Sequence, residues 1–380
     1  MNLRIALVIP TMDRGGAEQQ VALLAAGLVE RKISVHVVLL TRGGPRLTTL
    51  KECQVPYTLI GKRGKFDPTA FWRLKRVLRE LQPNVVHTFL FAANSYGRYA
   101  AMRIGVPVII GSERCVDLWK TWRHLLVDRY LARCSDAMTT NSAGVVDYYA
   151  SRGIARDLFH VIPNGLPPRA AAMKTREQVA MQFGLHPGRK WIGAVGRLWP
   201  QKRYRDLIWA ADMLNNLRGD DTTLFIVGDG PQRAELLRFR DSVSNPRRVQ
   251  FGGAREDVSD LLPHLQAFWV ASGYEGQSNA LMEAMQAAVP CVVTDIPGNR
   301  DLVAHDVTGI LVKLGDAADF ARQTQHLWEH PEMALEIARA GHETIRSSFT
   351  VPAMVENHLA LYQRLLETKT ASKGGKTYGW

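Results

Sequence analysis

Residues 274–285 read Tyr-Glu-Gly-Gln-Ser-Asn-Ala-Leu-Met-Glu-Ala-Met, a loop that runs directly into a helix and carries a carboxylate on each side of the entry. Ser278 and Asn279 are residue types whose side-chain oxygens cap helix N-termini. The backbone N–H groups of Asn279, Ala280, Leu281 and Met282 then face outward with the positive end of the helix dipole, which suits an anion such as a diphosphate. Glu275 stays in the loop, while Glu283 falls on the first helical turn or just past it, so the two flank the phosphate position. A carboxylate accepts hydrogen bonds from neighbouring hydroxyls, which predicts ribose on Glu283 and the sugar of a sugar nucleotide on Glu275.

Working outward, short β-branched runs at residues 4–9, 34–40, 84–88, 107–111, 137–140 and 160–162 alternate with helical patterns. The second half repeats the alternation at 191–195, 223–227, 248–251, 267–270, 290–294 and 309–312. The fold class is therefore α/β: two doubly wound, Rossmann-like parallel sheets, with ligands expected at the carboxyl ends of the strands. The turn-rich stretch 163–168 reads as the link between them. A chain of 380 residues is long enough for two well-packed domains.

Further motifs share this order. Gly15-Gly16-Ala17-Glu18 follows the first strand, Ile162-Pro163-Asn164-Gly165 stands mid-chain, and Gly196-Arg197-Leu198 precedes Gln201-Lys202. Val227-Gly228-Asp229-Gly230-Pro231 and residues 289–303 (VPCVVTDIPGNRDLV) complete the series. Together with the spacing of Glu275 and Glu283, they resemble family 4 of the retaining glycosyltransferases over residues 3 to 366. The resemblance implies a GT-B fold, two Rossmann-like domains facing each other across a cleft. Residues 1–165 with 350–368 would form an acceptor-binding domain to which the last helix returns, and 166–349 a donor-binding domain. Residues 369–380, with Gly, Ser and Lys content, read as a loose tail. The implied reaction moves a sugar from a UDP- or GDP-sugar to an acceptor hydroxyl with retention, in polysaccharide, lipopolysaccharide or lipid-linked glycan biosynthesis. Front-face attack, in which the donor phosphate accepts the acceptor's proton, belongs to the same implication.

The site residues follow. Arg197 and Lys202 come after the strand at 191–195, at the face where the Ser278 helix begins, and two cations there would neutralise the departing diphosphate. Their neighbours Arg203 and Arg205 read as solvated surface cations. Gly196 opens the same turn, and the resemblance implies that Gly16 helps hold the donor. The Gly228 and Gly230 pair does not continue as a dinucleotide fingerprint, because Arg233 stands where a third glycine belongs, so it reads as a tight turn. Arg255 is a candidate neighbour of the base. His87, at a strand end, is a candidate catalytic residue, and Glu113 and Arg114 are candidates for the acceptor side. No D-x-D occurs, so no metal is expected and the diphosphate would rely on Arg197, Lys202 and the helix entry. A nucleotide-sugar 2-epimerase of the same fold and a non-catalytic sugar-nucleotide-binding protein are the competing readings.

Charge is divided unevenly. Residues 1–165 hold 23 Lys and Arg against 12 Asp and Glu, whereas residues 166–380 hold 25 against 24. The first half thus predicts an anionic partner: a membrane surface or a lipid-linked phosphate acceptor, carried by Lys62, Arg63 and Lys65, by residues 71–79, or by residues 118–123. Nucleic acid is not expected, since no helix-turn-helix, zinc or RNA-binding pattern accompanies the charge. Cys53, Cys115, Cys134 and Cys291 lie far apart, which argues against a disulfide framework or zinc site and for a reducing cytoplasm. The apolar N-terminal run is too short for a secretion signal and no stretch is long enough to span a bilayer, so a cytoplasmic or peripheral protein is expected.

Overall fold

The computed structural model describes residues 3–64, 66–169 and 174–374. Lys65 and residues 375–380 of the expected tail lie outside the described residues. The strands β1 (Arg4–Ile9), β2 (Ser34–Leu39), β3 (Tyr57–Leu59), β4 (Val85–Phe89), β5 (Val108–Ser112), β6 (Ala137–Thr140) and β7 (Phe159–Val161) form one parallel sheet in the order β3-β2-β1-β4-β5-β6-β7. A second parallel sheet, ordered β10-β9-β8-β11-β12-β13, contains β8 (Lys190–Val195), β9 (Thr222–Val227), β10 (Val249–Gly253), β11 (Ala267–Val270), β12 (Cys291–Thr294) and β13 (Ile310–Val312). The chain divides into two units, Met1–Gly165 with Thr350–Trp380, and Leu166–Phe349.

Strand alternation explains the double winding. In β1, Ile5, Leu7 and Ile9 enter one apolar cluster while Ala6 and Val8 enter another, so both faces of the strand are buried under helices. In β9, Phe225 and Val227 face one cluster and Leu224 and Ile226 the other. The helices that bear on function are α1 (Gly16–Glu30), α2 (Pro68–Leu81), α3 (Leu90–Ile104) and α4 (Trp122–Arg133) in the first unit. In the second they are α5 (Tyr204–Arg218) and α6 (Asn279–Gln286), and α7 (Val351–Gly374) returns to the first. Each sheet reverses its strand order beside its first strand, between β1 and β4 and between β8 and β11. Such reversals leave a crevice at the carboxyl ends of the two strands.

The strand β3 is an addition to the sequence reading. It is a three-residue edge strand after Pro56, too short to show a period. Helix α7 also runs further than expected, through Gly374. Past Pro352 in its first turn no proline or glycine interrupts it before Gly374, Thr368 and Thr370 donate to the carbonyls of Arg364 and Leu366 at 2.9 Å, and Lys369 pairs with Asp136 at 2.5 Å.

Helix α7 is fastened to the first unit by packing and by a buried polar contact. A Cβ on Gly27 of α1 would lie 2.6 Å from Val355 Cγ2, so the glycine lets the two helices approach. Tyr362 meets His87 of β4, Oη to Nδ1, at 2.7 Å, and His87 Nε2 meets Thr139 Oγ1 at 2.9 Å. His358 is also buried, its ring 5.6 Å from that of His87. Burial pushes the His87 imidazole well below its ordinary range and that of His358 down to about 4.

Because the unfolded chain protonates these histidines below about pH 6.5 and the folded chain does not, each contributes stability that is present above that pH and lost on acidification, at up to about 1.4 kcal/mol per unit. Buried Asp128, its carboxyl pushed up to about 6, runs the other way. The contribution of one histidine is therefore read as a difference. Between about pH 7 and pH 5, melting temperatures should fall more steeply for the unaltered chain than for His358→Leu. Parallel curves would show that His358 is charged in the folded state.

Candidate functional site

Two loops meet at the reversal in the second unit. After β8 the chain passes Gly196, Arg197 and Leu198, makes a 3-10 turn at Pro200–Lys202, and enters α5 from Arg203 in left-handed backbone. After β11 it runs from Ala271 through Tyr274 and Glu275 to Ser278, the N-cap of α6. The loops are laced by Gln201, whose amide donates to the Tyr274 carbonyl at 2.7 Å and whose own carbonyl accepts from the Gly273 N–H at 2.8 Å. Lys202 Nζ donates to Glu275 Oε1, the same oxygen that accepts from Ser272 Oγ at 2.8 Å. The pair is mostly enclosed, with side-chain exposures of 18% for Lys202 and 10% for Glu275. Arg197 remains exposed, its guanidinium 5.3 Å from the Trp199 ring.

Glycines set how tightly these turns stack. Gly228 has φ +146°, and a Cβ there would lie 1.9 Å from the Gly196 carbonyl oxygen, so only glycine fits. A Cβ on Gly298 would lie 2.0 Å from the Gly276 carbonyl oxygen, which ties the turn after β12 to the entry of α6. Gly196 accepts at its carbonyl from Tyr204 Oη at 3.0 Å, and burial followed by the nearby Glu275 raises the phenol's pKa, so the tyrosine stays a donor.

At the entry of α6 the structure narrows the expected donor set. The Leu281 amide is capped by Ser278 Oγ at 3.4 Å and the Met282 amide by the Ser278 carbonyl at 3.1 Å. Leu281 is also buried. Its amide is therefore part of the cap and does not face an anion, because a capping hydroxyl uses the donor it satisfies. Asn279 and Ala280 are partly exposed at the first turn, and Glu283 lies on the second, also partly exposed. Arg255 is held by Asp257 in a fork at 2.8 and 2.6 Å with its guanidinium 4.2 Å from the Phe183 ring, so its charge is already matched. Arg203 and Arg205 pair with Asp206 and Glu235, in keeping with a surface role.

In the first unit, Gly16 is exposed at the start of α1, with Gly15 as the N-cap, at the carboxyl end of β1. The other three candidates of this unit turn inward. His87 has no exposed surface and both ring nitrogens are engaged, so it packs α7 against the sheet and is not a catalytic residue. Glu113, 1% exposed, accepts from Lys120 Nζ and Tyr149 Oη, both at 3.0 Å, and from Asn94 Nδ2 at 3.1 Å. Arg114 is 9% exposed, donates to Asn164 Oδ1, and burial lowers its pKa to about 10. Glu113 and Arg114 are therefore internal braces and not an acceptor surface.

Two sequence profiles match the chain: "Glycosyl transferase 4-like domain" over residues 15–165 and "Glycosyl transferases group 1" over residues 189–330. The chain belongs to glycosyltransferase family 4. Among its relatives, the Escherichia coli UDP-Gal:alpha-D-GlcNAc-diphosphoundecaprenol alpha-1,3-galactosyltransferase is 29% identical over 268 residues, 67% of this chain and 68% of the relative. A GDP-mannose-dependent alpha-mannosyltransferase of Mycobacterium tuberculosis is 29% identical over 265 residues, 64% of each. In fold, the Anabaena protein HepE, solved with UDP and glucose, superposes with a TM-score of 0.85 at 20% identity, covering 95% of this chain and all of the other. The two parallel sheets are thus those of a GT-B glycosyltransferase, an enzyme of the hexosyltransferase type.

Sequence reading missed several residues of the candidate site. Ser272 and Tyr204 orient Glu275 and Gly196, but a lone Ser at a strand end and a Tyr at a helix start carry no period or spacing that marks them. The buried brace around Glu113 was missed for a related reason. Lys120 contacts Asp128 at 2.9 Å and Asp117 at 3.5 Å as well as Glu113, and Arg98 reaches Asp128 at 3.4 Å. Burial alone would lower the Lys120 pKa, yet the surrounding carboxylates outweigh it and raise it.

Removing the central cation leaves buried Glu113 without a counter-charge and buried Asp128 with Arg98 alone. Lys120→Leu should therefore cost about 3–5 kcal/mol of stability in a denaturant titration. Glu113→Gln should lower stability more than it lowers turnover per folded molecule, and the reverse order would restore Glu113 to the acceptor side.

Proposed function

We propose that the chain is a retaining transferase that takes a hexose from a UDP- or GDP-sugar and delivers it to a hydroxyl of a glycan or lipid-linked acceptor. The observation that carries the reading is the meeting of Lys202, Glu275 and the N-terminus of α6 at the reversal between β8 and β11. In this proposal the diphosphate lies against Asn279 and Ala280 with Arg197 and Lys202 as its counter-charges. Glu283 takes the ribose and Glu275 the transferred sugar. Gly196 leaves room for close backbone approach. Arg255, already paired with Asp257, contributes a flat guanidinium beside the base and not a free charge. Support for the two candidate bases comes from the relatives, one named for a UDP-sugar and one for GDP-mannose.

The paired state of Lys202 has a chemical consequence. A diphosphate is a stronger partner for an ammonium than one carboxylate is, so donor binding draws Lys202 from Glu275 and frees that carboxylate for sugar hydroxyls. Reaction then forms a bond from the acceptor oxygen to the anomeric carbon on the face from which the phosphate departs. The proton of the acceptor hydroxyl passes to the departing phosphate oxygen, and Arg197 and Lys202 stabilise the charge that grows there. No metal is assigned a part in this proposal. The assignment to the cytoplasm rests on the wide spacing of the four cysteines in the sequence. No helix among the described residues is long and apolar enough to cross a membrane.

Glu283→Ala should weaken binding of UDP or GDP about tenfold in calorimetry, the loss of one charged hydrogen-bond acceptor. Glu275→Ala releases Lys202, so it should leave nucleotide affinity unchanged or tighter while turnover falls on the order of a hundredfold. Equal losses of affinity in the two variants would reject these roles.

Turnover should also survive excess chelator. Loss of activity that magnesium or manganese restores would overturn the assignment of the diphosphate charge to Arg197 and Lys202.

A further inference from the structure

On one face of the first unit's sheet, α2 packs beside α3 and α3 beside α4. Their outward surfaces are unusual in charge. Arg73, Arg76 and Arg79 on α2, Arg103 on α3, and Arg123 and Arg133 on α4 are exposed, against a single exposed carboxylate on the three helices, Glu80. Glu80 is paired with Arg76 at 2.8 Å, and the other carboxylate of these helices, Asp128, is buried. The same surface carries apolar side chains that the core does not use. Trp122, Leu126 and Tyr130 recur every fourth residue along α4 with exposures of 64%, 49% and 55%. Leu118 and Trp119, each 56% exposed, precede them, and Trp72 of α2 is 62% exposed.

The arrangement is held in place from beneath. Lys120, in the middle of the aromatic segment, points inward to Glu113 and Asp128, so the residues on either side of it are presented outward. Trp119, Phe91 and His124 stack edge to face, with centroids 4.9–5.6 Å apart. Of the described lysines expected at this surface, Lys62 and Lys75 are also buried, so the outward charge on α2, α3 and α4 is arginine. Helix α5 in the second unit supplies a contrast. Trp209, Met213 and Leu217 have the same spacing and are exposed, but Arg205 and Arg218 beside them pair with Glu235 and Asp221.

We propose that the α2–α3–α4 face is a docking surface for an anionic phospholipid bilayer. Tryptophan, tyrosine and leucine would enter the boundary between headgroups and acyl chains, and the arginines would meet lipid phosphates. Arg73 pairs with Asp67 and Arg76 with Glu80, but Arg79, Arg103, Arg123 and Arg133 have no carboxylate partner among the described residues, and these cations beside exposed aromatics distinguish the face from α5, whose cations are neutralised. The helices begin at the carboxyl ends of their strands, the edge at which a sheet of this kind receives ligands, so docking would bring that edge to the lipid surface. The surface is independent of the donor reading, and its test needs neither donor nor acceptor.

The test is flotation of the full chain with vesicles of phosphatidylcholine alone or mixed with phosphatidylglycerol, at low and high salt. The unaltered chain should bind the mixed vesicles at low salt and release at high salt. Trp122→Ser with Leu126→Ser, and separately Arg123→Glu with Arg133→Glu, should each lower the partition coefficient at least about tenfold, since each cation near such a surface is worth about fivefold. Trp209→Ser with Leu217→Ser should change it by less than about twofold. Calorimetry with UDP and GDP and thermal melting followed by circular dichroism run in parallel on every variant, and an unchanged melting profile shows that the α4 variants are folded. Failure of the unaltered chain to bind mixed vesicles at low salt would overturn the proposal, as would an equal effect of the α5 variant. Conversion of a dimer to a monomer by the α4 substitutions, with vesicle binding unchanged, would overturn it in favour of self-association. Vesicle binding by a chain that takes up neither nucleotide would sink the donor reading and leave docking standing.

Discussion

Lys202 and Glu275 hold each other at the one place in the second unit where the sheet's connections part company. In a parallel sheet every crossover is right-handed, so β8 can send its chain to one side and β11 to the other only at the reversal, and the loops after both strands are left to face each other. An enclosed ion pair at that position is costly unless further hydrogen bonds complete it. Ser272 Oγ and the Gln201 lacing supply them. The remaining geometry depends on this closure. Gly228 and Gly298 are needed because their neighbouring turns are drawn to within contact of Gly196 and Gly276, and the α6 N-cap is set by the same loop that carries Glu275.

The first unit solves a different problem with similar means. Its excess of cations would repel itself if all were exposed together, and the structure turns part of it inward. Lys62, Lys75 and Lys120 lie inward, where a compact ammonium fits between carboxylates, carbonyls or aromatic rings. Arg98 and Arg114 are buried as well, and the cations left exposed on α2, α3 and α4 are arginines, whose planar fork can meet a phosphate through two hydrogen bonds. The inward lysine at position 120 does structural work on the outward tryptophans beside it, so a buried charge and an exposed aromatic surface are two consequences of one short segment.

How much of this was legible follows from periodicity. Twelve strands announce themselves as β-branched runs between helical patterns, and the strand missed, β3, is the shortest kind of edge strand. Capping of α6 by Ser278 was legible because the cap is a local contact. What the sequence hides is direction. Both faces of a doubly wound sheet are covered, so strand alternation carries no distinction between inside and outside. His87 and Glu113 therefore look the same in sequence whether they line a site or brace a core, and only their partners, Tyr362 and Lys120, decide it. Those partners lie on other elements, α7 for the histidine and the segment before α4 for the glutamate.

The same limit explains why Glu275 and Glu283 cannot be assigned from spacing alone. Eight positions place one carboxylate in a loop and the other on the second turn of α6, but spacing does not say which is already occupied. The structure does so for Glu275, which is matched by Lys202 before any ligand arrives. A carboxylate that must first be released by its cation is coupled to whatever attracts that cation, whereas one on a helix turn is not held by the same pair. In the proposed reading an anionic leaving group attracts Lys202, so the sugar contact and the diphosphate contact become one event, and a nucleotide without its sugar would leave Glu275 freed but unfilled.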